Sequence, residues 1–128
     1  MQKEGFVSLW VGNIKTSEEL DNLLRISYTE DGDLIQSIFA SKFHIERYDD
    51  AFREAELYDD TDNSLSRLLE GFSYDDVIVP KFASLLGEQL NKRYNAAILL
   101  YNFQYNGDVK EATVGSSHVE FLATTEYQ

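Results

Sequence analysis

Apolar residues are most concentrated in Ala96–Tyr105, and this run predicts a strand in the interior of a sheet. Its first half, Ala96–Leu100, is apolar at every position, as expected for a strand covered on both faces. In its second half the polar residues Asn102 and Gln104 alternate with aromatic ones, so one face should meet water towards the end of the strand. The rest of the fold is expected to pack around this strand.

The chain is expected to reverse directly after this strand. Asn106-Gly107 tolerates the positive φ angles of a type I′ turn, and His118–Thr124 has the composition of a return strand. The intervening Asp108–Ser117 is longer than a tight hairpin requires, which predicts an irregular or bulged connection.

The N-terminal part of the chain begins with a strand and a capped helix. Phe6–Asn13 is rich in strand-forming residues and divides its side chains between two faces. Trp10, beside a glycine in this strand, is expected to be a core residue. Thr16 and Glu19 then form a capping box ahead of an apolar series, which predicts a short helix ending near Arg25.

A second helix and a second strand are expected next. Asp33 can cap a helix whose apolar positions recur at helical spacing up to Phe43. Arg53–Asp59 alternates between acidic and other residues, which predicts a short strand with one acidic face.

Two further helices precede the apolar strand. Asp62-Asn63-Ser64 is a capping segment for a short leucine-rich helix. Ser73 and Asp76 form a second box-like cap before the longest helical pattern, which runs to about Arg93. The resulting order, β-α-α-β-α-α-β-β, predicts an α+β fold with helices packed on a small, mixed or mainly antiparallel sheet. Residues 1–128 are expected to form a single domain.

Composition indicates a globular protein. Hydrophobic residues make up 43% of the chain, so a core can form, and the absence of cysteine suits a reducing compartment. No apolar run approaches the roughly 20 residues that cross a bilayer. We therefore expect a soluble, unprocessed, cytoplasmic protein that holds no cofactor.

The negative charge is concentrated in one region. The formal net charge is -12, and the segment from Glu30 to Asp76 carries 14 acidic and 4 basic residues. A field of this sign repels nucleic acid and anionic membranes, and it favours a cation or a basic protein surface as partner. The sequence leaves the oligomeric state open.

Catalytic machinery is sparse. His118 lies near Ser116, Ser117 and Glu120, but no oxyanion-hole signature accompanies this set. Adjacent acids such as Asp49-Asp50 are expected on solvated surfaces in a chain this acidic, so we predict no catalytic residue and no enzyme.

The segment Asp59–Glu70 has acidic and polar residues at some positions of an EF-hand loop. Ser64 replaces the glycine that this loop requires at its sixth position, which favours helix capping over calcium ligation. We predict no metal ligand here. A cation-binding or regulatory interaction module is nevertheless one of the functions that this acidic chain suggests.

Aromatic residues are interleaved with the acids in the middle of the chain. Tyrosine gives rigid contact area, and carboxylates pair with the Arg and Lys side chains of a basic partner, so the mixture is typical of an interface. The alternative is that Phe52 and half of these tyrosines are core residues and the acids only solvate the surface. The candidate partner-binding residues are Tyr48, Asp49, Asp50, Glu54, Glu56, Tyr58, Asp59, Asp60, Asp62, Tyr74, Asp75 and Asp76.

Five segments resemble the immunity protein 22 family of bacterial polymorphic toxin systems, and the likeness covers nearly the whole chain. These segments are Phe6–Asn13, Tyr28–Asp33, Asp50–Glu56, Gly71–Tyr74 and Tyr94–Phe103. The resemblance implies a small α+β domain, encoded beside a toxin, that binds and neutralises a cognate toxin domain, often a nuclease. It implies no catalytic residue and does not name the toxin.

Overall fold

A computed structural model describes residues 2–128 and contains a five-stranded antiparallel sheet with helices on both faces. The predicted α+β class is therefore confirmed. In chain order the elements are β1 (Gln2–Asn13), α1 (Ser17–Leu24), β2 (Ser27–Tyr28), β3 (Leu34–Ile35), α2 (Ile38–Lys42), a 3-10 helix (Asp50–Phe52), β4 (Arg53–Ser64), α3 (Leu65–Leu69), α4 (Asp75–Leu86), β5 (Gln89–Phe103), β6 (Glu111–Val114) and β7 (Ser117–Glu126).

The sheet has the order β4-β5-β1-β7-β6, and β2 and β3 pair separately as a short ribbon. In β1, Trp10 packs with α1 and α2 on one face, whereas Leu9 packs with α3 and α4 on the other. The same division holds in β5 for Ile98 and Leu99. The predicted apolar strand is thus confirmed as an interior strand covered on both faces.

Trp10 is fully buried, as predicted. Its ring centroid lies 5.0 Å from that of Phe39 and 5.2 Å from that of Phe121, which joins α2 to β7 across β1. Aromatic pairs at these separations add to the free energy gained from burial alone.

Two predicted helix caps are confirmed. The Thr16 hydroxyl accepts a hydrogen bond from the Glu19 amide at 3.1 Å, and the Ser64 hydroxyl accepts one from the Arg67 amide at 3.4 Å. The Glu19 carboxylate reaches back to the amide of Lys15, not to that of Thr16. α1 ends at Leu24, one residue before the predicted end.

The predicted helix over residues 34–43 is wrong at its start. Its first two residues form β3, and Asp33 belongs to the turn before it, where its amide donates to the Thr29 hydroxyl at 3.0 Å. α2 begins later because the Ser37 hydroxyl caps it, accepting from the Ala40 amide at 3.0 Å. The first residues of α2 that pack against the sheet, Phe39 and Ala40, therefore lie well after the acidic turn.

The predicted cap and the predicted end of the longest helix are also wrong. Ser73 and Asp76 form no capping box, because the Ser73 hydroxyl donates to Glu54 instead, and Tyr74 is the N-cap residue. α4 ends at Leu86, where Gly87 has a φ of +84° that a helix cannot continue. The predicted helical residues that follow belong to β5.

The predicted type I′ turn at Asn106-Gly107 is wrong, since neither residue has a positive φ. The predicted return strand exists as β7, but it pairs with β1 and β6. It does not pair with β5, because β4 and β1 occupy the two edges of β5. β6 forms inside the predicted irregular connection, and the two-residue turn Gly115-Ser116 joins it to β7.

Candidate interaction surface

The predicted acidic strand is confirmed as β4, and it is longer than predicted. β4 forms one edge of the sheet, paired only with β5. Glu54 lies opposite Leu99 and Glu56 lies opposite Ala97, so both carboxylates are on the sheet face that carries α3 and α4.

Glu54 is held beside the start of α4. Its carboxylate accepts from the Ser73 amide at 2.9 Å and from the Ser73 hydroxyl. Burial raises the pKa of the nearby Tyr101 phenol, and the negative charges of Glu54 and Asp75 raise it further. Both carboxylates therefore lie close to the same ring.

Asp59 and Asp60 project from a bulge in β4. Between Leu57 and Asp62 the strand advances five residues while β5 advances two, so three extra residues leave the ladder. The Arg93 guanidinium fixes the bulge by donating to the Thr61 carbonyl at 2.6 Å. The chain thus exposes two adjacent carboxylates at the edge of the sheet.

Asp62 differs from its neighbours because it has partners. It accepts from the Ser64 amide at 2.8 Å and lies 3.3 Å from the Arg67 guanidinium. The Ser64 amide first, and Arg67 after it, hold the pKa of the Asp62 carboxyl below its usual range. This carboxylate mainly supports the start of α3.

Tyr58 connects β4 to α3. Its ring packs against the core on the α3 and α4 face, and its hydroxyl donates to the Leu68 carbonyl at 2.8 Å. Burial raises the pKa of the Tyr58 phenol, and the carboxylates of Glu56 and Glu70 raise it further. Glu70, which lies outside the predicted set, lines a depression together with Asp75 and Asp76.

Two shallow depressions connect these residues. One of about 260 Å³ is lined by Tyr58–Asp62 with Arg67 and Leu68, and one of about 530 Å³ has Glu70, Asp75 and Asp76 among its walls. Arg67 borders both, so the two depressions are adjacent. We call the connected carboxylates the acidic strip. Its members are Glu54, Glu56, Asp59, Asp60, Asp62, Glu70, Asp75 and Asp76.

The acidic strip is almost free of internal ion pairs. Within residues 2–128 the only ion pairs are Arg67–Asp62 and Lys92–Glu120. Seven of the eight carboxylates in the strip therefore lack a cationic partner inside the described chain. Like charges brought together in this way repel one another and favour a basic partner.

Tyr74 is exposed at the start of α4, next to the strip. It is 48% exposed and has a φ of +62°, a left-handed conformation that is uncommon for tyrosine. Its ring lies 4.9 Å from that of Tyr127 and 6.2 Å from that of Tyr101. Two aromatic neighbours thus hold an accessible ring beside the carboxylates.

Three predicted residues lie away from the strip. Tyr48 is a core residue, because it is only 5% exposed and its hydroxyl lies 3.3 Å from the Arg53 guanidinium. Asp49 and Asp50 precede β4 and line a different depression, next to the β2–β3 ribbon. Asp49 caps the 3-10 helix by accepting from the Ala51 amide at 2.9 Å.

Phe52 is exposed and is not a core residue, contrary to the alternative interpretation of the sequence. It lines a depression of about 360 Å³ with Asp49, Tyr101 and the first residues of β1. No periodicity in the sequence signals this, since Phe52 stands in a single 3-10 turn between two longer elements.

The other candidate chemistry does not assemble. The hydroxyl groups of Ser116 and Ser117 approach Glu19, whereas His118 contacts Thr113, so no Ser-His pair forms. The segment that resembled an EF-hand loop is divided between β4 and α3, with the Ser64 cap at the junction.

Comparison with known families identifies the class of protein. The family model described as Immunity protein 22 matches residues 7–128. The chain belongs to the immunity protein 22 family. Membership implies a toxin-neutralising immunity protein with a cognate toxin as partner, which agrees with the resemblance noted in the sequence. Searches of curated proteins and of solved structures find no match. None of the helices in the described part of this immunity protein is long and apolar enough to span a membrane.

Proposed function

We propose that this chain is a cytoplasmic, non-enzymatic immunity protein that binds a basic toxin domain through the acidic strip. The toxin is of a class that handles an anionic substrate, such as a nuclease, since its binding site would then be basic. Binding covers the toxin active site or the channel that leads to it.

The observation that carries this proposal is the set of unpaired carboxylates along β4 and the adjoining ends of α3 and α4. Three of them in β4, Glu56, Asp59 and Asp60, and two beside the neighbouring helices, Glu70 and Asp76, are exposed and take part in no side-chain hydrogen bond or ion pair among residues 2–128. If these carboxylates only solvated the surface, they would not need to cluster at one edge of the sheet. A basic partner would neutralise a repulsion that the free protein retains.

The strip also has the mixture of contacts that tight interfaces use. The exposed ring of Tyr74 supplies apolar area beside Asp75 and Asp76. Tyr58 lies beneath the strip and is held in place by its hydrogen bond to the Leu68 carbonyl. Long-range attraction would speed association, and contacts made at these rings would slow dissociation.

The test uses the toxin domain encoded beside this gene. A variant in which four of these exposed carboxylates become amides is compared with a matched variant that loses the same charge elsewhere. The strip variant combines Glu56→Gln, Asp59→Asn, Asp60→Asn and Glu70→Gln. The control variant combines Glu18→Gln, Asp21→Asn, Asp108→Asn and Glu126→Gln, all exposed.

We expect the strip variant to bind the toxin domain at least about tenfold more weakly, mainly through a slower association rate. The control variant should stay within about threefold of the wild type. Equal effects of both variants would mean that only the overall charge matters. Undiminished binding by the strip variant would place the interface elsewhere, and loss of Asp49 and Asp50 would be examined next.

A further inference from the structure

The β6–β7 hairpin, on the opposite edge of the sheet from β4, brings together three residues with metal-binding side chains. Glu111 lies directly opposite Glu120 in the hairpin, and His118 lies two residues from Glu120 on the same face of β7. One ligand atom from each of the three lies within 4.8 Å of the others. Like charges placed directly opposite each other in a sheet are destabilising, so this arrangement needs a compensating charge.

The carboxylate of Glu120 is poorly compensated inside the chain. Its side chain is 15% exposed, and Oε1 lies 3.4 Å from the Lys92 ammonium, which is itself largely in solvent. Oε2 is buried and accepts no hydrogen bond of normal geometry from the described residues, although the Tyr94 hydroxyl lies near this carboxylate. A buried carboxylate oxygen without a donor costs free energy, and a cation would remove that cost.

His118 is oriented by a second contact, as metal-binding histidines commonly are. The Thr113 hydroxyl lies 3.0 Å from Nδ1 of His118. When Nδ1 carries the proton and donates to Thr113, Nε2 has a free lone pair to offer.

The two carboxylates also converge on one phenol. Burial raises the pKa of the Tyr94 phenol strongly, the hydrogen-bonding contact with the Glu120 side chain raises it further, and the charges of Glu120 and Glu111 add to this. The negative field of the hairpin therefore extends inwards to β5. Lys92 is the only cation that forms an ion pair with this group in the described chain.

We propose that Glu111, His118 and Glu120 bind a divalent transition-metal ion of the zinc class. One imidazole and two carboxylates suit such an ion better than magnesium, which prefers six oxygen ligands in octahedral geometry. Ligand atoms around tetrahedral zinc are about 3.4 Å apart at bond lengths of about 2.1 Å, so ligand atoms within 4.8 Å of one another need to close by at most about 1.4 Å.

The bound ion would join β6 to β7 at the sheet edge. Three protein ligands leave a fourth position for water or for a group from another molecule. Lys92 would turn into solvent when the ion takes over its role beside Glu120. This site is separate from the acidic strip and goes beyond the proposed toxin binding.

Zinc chloride is titrated into the full chain by calorimetry, with magnesium chloride at equal concentration as the control for general attraction to acidic surfaces. We expect one zinc per chain and no matching response to magnesium. His118→Ala and Glu111→Gln should each weaken zinc binding at least about tenfold. His44→Ala, which removes the only other histidine, should leave zinc binding unchanged.

A second pair of measurements distinguishes this site from adventitious binding. Lys92→Met should tighten zinc binding several-fold by removing the competing ammonium. Zinc should shift the imidazole nitrogen resonances of His118 and leave those of His44 in place. Circular dichroism confirms that each variant is folded.

The proposal is overturned if the wild type binds no zinc up to about 1 mM, or if binding survives in both His118→Ala and Glu111→Gln. An equal response to magnesium also overturns it. The readout is metal binding by the free chain, so either result leaves the proposed toxin binding unaffected.

Discussion

The Tyr58 hydroxyl donates to the Leu68 carbonyl at 2.8 Å, and this contact fixes edge strand β4 against helix α3. Leu68 is in the last turn of α3, where carbonyl groups have no partner within the helix. A side chain predicted to contact a partner therefore has a structural task as well. It holds the two elements that carry the acidic strip in a fixed relation.

Tyr58→Phe should lower the free energy of unfolding by about 1 kcal/mol, because the ring still packs while the Leu68 carbonyl loses its donor. Urea unfolding measures this change. Tyr28→Phe is the control, since Tyr28 is 67% exposed and its hydroxyl makes no hydrogen bond within residues 2–128. Equal stability of the two variants would show that the Tyr58 contact contributes nothing.

The acidic strip should destabilise the free protein at low salt. We expect the strip variant, which replaces four of its carboxylates by amides, to melt about 2–5 °C higher than the wild type in 0.1 M NaCl. The difference should shrink in 1 M NaCl, where the screening length falls from roughly 10 Å to 3 Å.

The matched control variant separates the strip from the net charge. Its melting temperature should rise less, because its four carboxylates are spread over several elements. A control variant that gains as much as the strip variant would show that the repulsion is distributed over the whole surface.

Glu88 should contribute stability that depends on pH. Its carboxylate accepts from the Ser64 hydroxyl at 2.7 Å and from the amide and hydroxyl of Ser66, all at the start of α3. The hydrogen bond from the Ser66 hydroxyl, followed by that from Ser64, holds the pKa of Glu88 below its usual value of 4.5. The unfolded chain thus takes up the proton first as the pH falls.

The sign follows from this lowered pKa. Stability from Glu88 is present above about pH 4.5 and is lost as the pH falls through the folded pKa. Glu88→Gln should therefore be less stable than the wild type at pH 6, and the difference should shrink steadily as the pH falls below 4.5. In a Ser66→Ala background, Glu88→Gln should have a smaller effect at pH 6. Urea unfolding at each pH tests this, and a constant difference would contradict it.

Gly12 allows β1 and β7 to approach each other closely. A Cβ at this position would lie 2.6 Å from the main-chain carbonyl oxygen of His118 and 3.3 Å from Cγ2 of Val119. Gly12→Ala should therefore cost about 2 kcal/mol or more, since the backbone of an interior strand has to move. Chemical unfolding measures the loss.

Gly71→Ala is the comparison for Gly12→Ala. Gly71 has a φ of +88° and open space where a Cβ would lie, so only backbone strain should appear, at about 1 kcal/mol. A cost for Gly12→Ala below that for Gly71→Ala would contradict the steric argument.

Local signals in the sequence are sufficient where the partner of a residue is close in the chain. The hydroxyl groups of Thr16 and Ser64 cap helices by binding amides three residues away, and the sequence predicts both caps. The alternating acids of β4 and the fully apolar start of β5 likewise identify two strands, because side-chain direction in a strand follows a period of two.

Local signals fail where distant segments compete for the same residue. Ser73 resembles a capping residue, but the Glu54 carboxylate, 19 positions away, takes its hydroxyl and its amide. Asn106-Gly107 resembles a hairpin turn, but β1 occupies the edge of β5 that a hairpin would need. Tyr48 stands among acids in the sequence, yet the core encloses its ring.

By itself the sequence determined the α+β class, most of the strands and helices, the excess of negative charge in the middle of the chain and the likeness to the family. The tertiary structure decided which carboxylates share one surface, since a bulge in β4 and the ends of α3 and α4 bring Asp59, Glu70 and Asp75 together. It also placed His118 beside two glutamates. Charge adds up through space, and distance in space is fixed by strand order and packing, which no local pattern encodes.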